Sequence, residues 1–245
     1  MTNSNWSFNT LDQPSSYVQA GVSKTFMTGV FSWMGIALAI SAITAYVFGT
    51  DLSYLSYLVN LQAGGLTGLG YFVMFAPIGF VLLMSFGINR LSFPVLTGLF
   101  LVYSVIMGMS LSFIFIVYKL GSIFSIFGVA AAMFGVMAIA GYTTKTDLTK
   151  MGSLLFMALI GILIASLVNF FMHSSGLSYI ISFVAVIVFT GLTAYDVQKL
   201  KEIGANTEAG TEATAKLSIL GALTLYLDFI NLFLALLRLF GSRRD

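Results

Sequence analysis

The sequence predicts an all-α integral membrane protein with seven transmembrane helices, and three observations carry that prediction. Of 245 residues, 58% are hydrophobic and only 8% charged, where soluble domains carry about 25% charged residues. Apolar runs recur seven times between short polar breaks, each close to the roughly 20 residues that cross a bilayer. The last run, Leu217 to Leu239, carries an acid near its middle, which marks it as the helix that the other spans enclose.

Taken in order, residues 1–25 are polar and lack a short apolar core followed by a cleavage site. No cleavable signal peptide is expected there, and the segment is assigned to the cytoplasm. The membrane domain is placed at residues 26–241 and a short basic tail at 242–245. Phe26 to Gly49 is the first span. The loop from Thr50 to Gly70 contains GGLTGLG, read as a flexible connector because no Lys-Ser/Thr follows it, as a phosphate cradle requires. Tyr71 to Gly87 is the second span, with a bend expected at Pro77, where a backbone donor is missing. Asn89, Arg90 and Pro94 mark a tight turn. Pro94 to Val117 and Ser122 to Gly141 are the third and fourth spans. In the fourth, Ala131 and Gly135 form a small-xxx-small pair expected to face a neighbouring backbone. The charged turn YTTKTDLTK leads to the fifth span, Gly152 to Met172. The sixth starts at Leu177 and runs on through Lys201, so it projects beyond the membrane face. A polar linker over 204–214 then leads into the seventh. The chain shows no internal repeat and reads as one domain.

Basic residues set the expected orientation. Lys24, Arg90, Lys145, Lys150, Lys199, Lys201 and Lys216 fall on the amino-terminal side, against Lys119 alone in the opposite loops, which puts the amino terminus in the cytoplasm. Arg243 and Arg244 run against this pattern. Two readings of the last segment therefore stand: it crosses despite them, or it enters and returns.

Several chemistries are excluded. Without cysteine there are no disulfides, thiol nucleophiles or cysteine-ligated metals. The sole histidine, His173, sits in a short loop and cannot make a zinc site alone. No dinucleotide fingerprint, HExxH motif or basic-aromatic strip occurs, so an enzyme, a bound cofactor and a nucleic-acid partner are not expected.

Seven of the nine acids belong to loops or termini, which leaves Asp196 and Asp228. Helical steps put Gly221, Thr224, Asp228, Asn231, Ala235 and Arg238 on one stripe of the seventh helix. This seam is expected to face other helices or water, with the leucines turned to lipid. A carboxylate there costs on the order of 2.5 to 3.5 kcal/mol, which is why intramembrane acids are read as functional. With about 1.5 Å of rise per residue, Asp196 and Asp228 reach a similar depth from the same face. Two carboxylates at one level of a bundle interior cannot both ionise cheaply, so such a pair shares a proton. Protonated once it joins two helices; fully ionised it pushes them apart or takes up a cation. Plainer roles stand beside this one. Asp196 can be a solvated helix-end residue beside Lys199, and Asp228 a structural acid bonded to Asn231. Arg90 can pair with the acids or snorkel to the interface, as Arg238 does.

Two stretches, GLTAYDVQKLK at Gly191 to Lys201 and YLDFINLFLALLRLFG at Tyr226 to Gly241, resemble the signatures of the Bax inhibitor-1 family in its bacterial branch. The pattern of seven spans resembles that family from about Phe26 onward. The resemblance implies a bundle with the last helix at its centre and a pH-sensitive calcium leak. It also implies that Asp196 and Asp228 form a hydrogen-bonded, proton-sensing pair, and that an arginine from the second helix completes the latch. Arg90 is the one candidate in that region, although it lies past the apolar run.

The leading expectation is thus a calcium-passing leak channel gated by Asp196 and Asp228, with Thr224 and Asn231 as supporting polar groups. Calcium is the permeant ion: two carboxylates, Asn231 and backbone carbonyls supply a transient oxygen site, too sparse for tight binding. Two alternatives come from other classes. One is a membrane-embedded interaction protein that modulates a membrane protease through Met1 to Ser23. The other is a proton-coupled transporter, against which the missing repeat counts.

Overall fold

The computed structural model describes residues 16–60, 64–208 and 210–244. Among these residues lie nine helices: α1 (Ser16–Thr50), α2 (Leu52–Leu58), α3 (Gly68–Gly87), α4 (Phe93–Leu111), α5 (Ile114–Val117), α6 (Leu120–Thr143), α7 (Thr149–Met172), α8 (Ser175–Ala205) and α9 (Glu212–Phe240). Seven stretches are long and apolar enough to cross a membrane, with α4 and α5 together making one of them. The predicted fold class is therefore the observed one. Residues 1–15, most of the expected amino-terminal contact segment, lie outside the described residues.

Local chemistry explains where the helices start. The side chain of Asp51 accepts the Ser53 N–H and opens α2. Thr67 accepts the Gly70 N–H and opens α3, which continues through the buried Pro77. Thr211 accepts the Thr214 N–H and opens α9. There Glu212 pairs with Lys216 at 3.0 Å and accepts the Phe93 N–H at 3.0 Å, tying the start of α9 to the start of α4.

The GGLTGLG segment is not a loose connector. Gly64 and Gly65 take left-handed backbone (φ 71° and 100°), Leu66 bridges to Val59, and the last two glycines already belong to α3. The linker before α9 is also shorter than expected, because α8 runs to Ala205 and α9 begins at Glu212. At 31 residues, α8 is about 46 Å long and exceeds the roughly 30 Å hydrocarbon core, as the sequence indicated.

The small-residue pair on α6 is a correction. Gly135 has nothing within 4 Å of its Cβ position, and Ala131 is exposed. The face that packs inward carries Ala130, Phe134, Ala138 and Gly141 instead. At Gly141 a Cβ would strike the backbone of Ala194, and at Gly108 it would strike that of Ser41. Those two glycines set close backbone approaches between spans, α6 to α8 and α4 to α1. Small residues do this work because lipid provides no hydrophobic drive for helices to associate.

The seventh span differs from expectation in a second way. Its leucines do not as a set face lipid: Leu223, Leu225, Leu232, Leu236 and Leu237 are buried and the others are half-buried. In α9, 72% of the most apolar window is buried, against 0% in α7. It packs on α8, α1, α6, α4 and α3. A helix that is largely apolar around its circumference belongs in an interior, and the polar stripe is itself covered at Gly221, Asp228 and Ala235, which leaves Thr224 and Arg238 exposed and Asn231 half-buried.

The tail resolves the two readings of the last segment. Ser242 O accepts the Lys119 N–H and Val117 O accepts the Arg244 N–H, both at 2.9 Å. The tail thus shares an end of the bundle with the turn between the third and fourth spans. The opposite end collects Ser23, whose hydroxyl donates to Lys201 O, and Tyr142, whose carbonyl accepts from Lys201 Nζ at 2.8 Å. The last segment runs the whole way.

Candidate functional site

Asp228 sits at the middle of α9 and is 5% exposed, whereas Asp196 on α8 is half-buried. Their side chains meet within hydrogen-bonding reach. Asp228 Oδ2 faces no N–H or O–H donor, and two bare carboxylates have no hydrogen to share. The contact is a hydrogen bond only when one of the two carries a proton. Asn231 gives Asp228 Oδ2 no hydrogen bond; its Nδ2 donates back to Leu227 O at 2.8 Å. The predicted pair is brought together.

Two hollows meet at this pair. A chamber of about 910 Å³ is walled by α3 and α7, with Tyr103 of α4, Asp196 of α8, and Thr224, Asp228 and Asn231 of α9 lining it. A smaller notch of about 160 Å³ runs between the end of α8 and the start of α9, lined by Lys199, Ile203, Leu217 and Thr224. Asp196 lines both. Lys199 lies on the same rim, its ammonium 5.8 Å from the centroid of the Tyr195 ring.

Arg90 is placed elsewhere. It is exposed in the turn after α3 and lines neither hollow. His173 takes a left-handed conformation (φ 52°) at the end of α7, with Nδ1 3.1 Å from Phe171 O. Among the described residues no three His, Cys, Asp or Glu side chains gather as a metal site.

Sequence reasoning missed three groups. Gln198, two residues past Asp196, clamps the turn before α7: its Oε1 accepts the Leu148 N–H at 2.8 Å and its Nε2 donates to Thr146 O at 2.9 Å. Tyr103 and Tyr226 are fully buried, with rings 5.6 Å apart and edge-on. Tyr226 OH lies 2.7 Å from Ser41 Oγ, which donates onward to Ser104 O at 2.7 Å. Since a hydroxyl has one hydrogen, Tyr226 is the donor to Ser41. Tyr103 OH is buried without a partner. No spacing rule finds these, because Gln198 bonds to residues 50 and 52 positions away and Tyr226 to one 185 positions away.

The two tyrosines should respond differently to loss of the hydroxyl. Tyr226→Phe is expected to destabilise by about 1 kcal/mol, the net worth of one hydrogen bond. Tyr103→Phe removes an unsatisfied buried hydroxyl and is expected to be neutral or stabilising. Unfolding midpoints in detergent check both.

The family model described as "Inhibitor of apoptosis-promoting Bax1" matches residues 23–245. The Inner membrane protein YbhL of Escherichia coli K12 is 48% identical over 222 residues, covering 90% of this chain and 93% of that protein. A Borreliella burgdorferi protein is 43% identical over 224 residues, 91% of this chain and 94% of its own length. A Rickettsia prowazekii protein is 43% identical over 226 residues, 91% of each chain. With the match spanning both aspartate-bearing helices and all seven apolar stretches, the chain is an integral membrane protein of the Bax inhibitor-1 family.

Proposed function

We propose that the protein is a passive calcium leak, not an enzyme, whose opening is controlled by the proton shared between Asp196 and Asp228. The observation that carries this reading is the buried carboxyl pair standing between two hollows, with Asp196 lining each. Singly protonated, the pair binds α8 to α9 and closes the way from the notch to the chamber. Fully ionised, the two charges repel, and the same oxygens become a transient site for a hard cation. Beyond the chamber, Tyr103 and the Tyr226–Ser41 bond stand before a third hollow of about 180 Å³, which Ser41 also lines. The E. coli relative is named an inner membrane protein, and we assign this chain to the same kind of membrane with its amino terminus in the cytoplasm.

Calcium entry into dye-loaded liposomes tests the reading. Flux is expected to rise from about pH 5 to about pH 8 as the shared proton leaves. Flux no greater than that of empty liposomes, with insertion verified, overturns it.

A further inference from the structure

The chamber between α3 and α7 is larger than a passing ion needs. At about 910 Å³ it falls within the 300–1,000 Å³ typical of sites for small organic ligands. Ile78 and Leu82 on α3 and Phe156 and Leu163 on α7 line it while remaining largely exposed. In a membrane those side chains face acyl chains, so the mouth opens sideways onto lipid. The floor is different. Asp228 is 5% exposed and meets no donor except a proton shared with Asp196, and Tyr103 is fully buried with its hydroxyl lacking a partner. A carboxyl pair on an otherwise apolar hollow is costly inside a membrane, and a ligand bringing a positive charge offsets part of that cost.

We infer that the chamber is a binding site for a lipophilic ammonium. Its cationic head seats against Asp228 and Asp196 on the floor of the chamber. Its alkyl or aryl body lies between α3 and α7. The charge of the floor decides the class of ligand: a fatty acid or other anionic amphiphile is repelled, and an acyl chain brings nothing to the carboxyls. Lys199, the cationic side chain lining the chamber, is exposed at its edge over the Tyr195 ring, where its charge acts on Asp196 and not on the deeper Asp228. This site shares the aspartates with the leak proposed above but needs no ion to pass.

The test is a fluorescence titration of the full chain in dodecyl maltoside micelles. The probe is a dansyl group joined through a hexyl chain to trimethylammonium, compared with the uncharged isostere that ends in tert-butyl. Saturable binding of one probe per chain is expected, at least tenfold tighter than the isostere. Asp228→Asn should weaken it tenfold or more. Leu163→Trp, on an exposed wall position where folding is undisturbed, should weaken it by narrowing the chamber. Equal affinity for probe and isostere, unsaturable uptake into micelles, or wild-type affinity in both variants overturns the inference. Binding without calcium flux removes the leak and leaves the site standing; flux without binding does the reverse.

Discussion

Replacing Asp228 with Asn is expected to leave calcium flux low and the same at every pH, while the wild-type flux climbs at least tenfold between about pH 5 and about pH 8. The sign follows from the proton. Under the proposed mechanism the pair holds one hydrogen between two carboxyls at low pH and keeps α8 on α9. As pH rises that hydrogen leaves, and two unit charges about 4 Å apart repel by about 4 kcal/mol at an effective dielectric of about 20. A tenfold change in an opening equilibrium needs only about 1.4 kcal/mol of this. In the variant the amide donates an N–H to Asp196 when that carboxylate is ionised and accepts from it when protonated. Both states keep the bond, so nothing drives opening. Asp196→Asn should behave alike, since the bond is symmetric in its chemistry. A variant curve that follows the wild-type one across the range would remove the pair as the gate.

Asp196 and Asp228 stood out because each lies inside an apolar run, where a charge is costly, and one-dimensional depth along two helices suffices to bring them level. The wall between lipid and interior was not legible in the same way. Hydropathy does not separate a leucine facing lipid from one facing another helix, because both surroundings are equally apolar. That is why the leucines of α9 were assigned outward although they are buried or half-buried, and why α7, the most exposed span, could not be told from the rest. Ala131 and Gly135 failed for a related reason. Small residues permit close approach without requiring it, and on α6 the neighbouring backbone lies against Gly141 instead. The break between α4 and α5 and the short helix α2 were hidden inside segments read as a span and a loop. Tyr103, Tyr226 and Gln198 acquire their roles from distant partners, which no local pattern encodes.

Gly141→Ala is therefore expected to be among the most damaging single changes in the bundle, out of proportion to one methyl group. The added Cβ would lie within 2.8 Å of both the carbonyl carbon and the Cα of Ala194, and backbone cannot turn aside as a side-chain end can. Relief requires α6 and α8 to separate, which costs about 3 kcal/mol at the upper end of ordinary overpacking and should lower the unfolding midpoint in detergent accordingly. Gly191→Ala meets only the end of Leu155, a side chain able to shift, and should be mild. Gly135→Ala meets nothing and should stabilise by about 0.5 to 1 kcal/mol through its greater helix preference. The ordering matters for the gate, because Ala194 lies two residues from Asp196 on the same helix. Moving that stretch of α8 loosens the carboxyl contact with α9, so, under the proposed gate, a folded fraction of Gly141→Ala should leak calcium even at low pH, where the wild type is expected to be closed. Equal unfolding midpoints for Gly141→Ala and Gly135→Ala would show that the α6–α8 approach is slack. The contact that fixes Asp196 would then have to lie in the Gln198 clamp on the 144–149 turn, or in α9 itself.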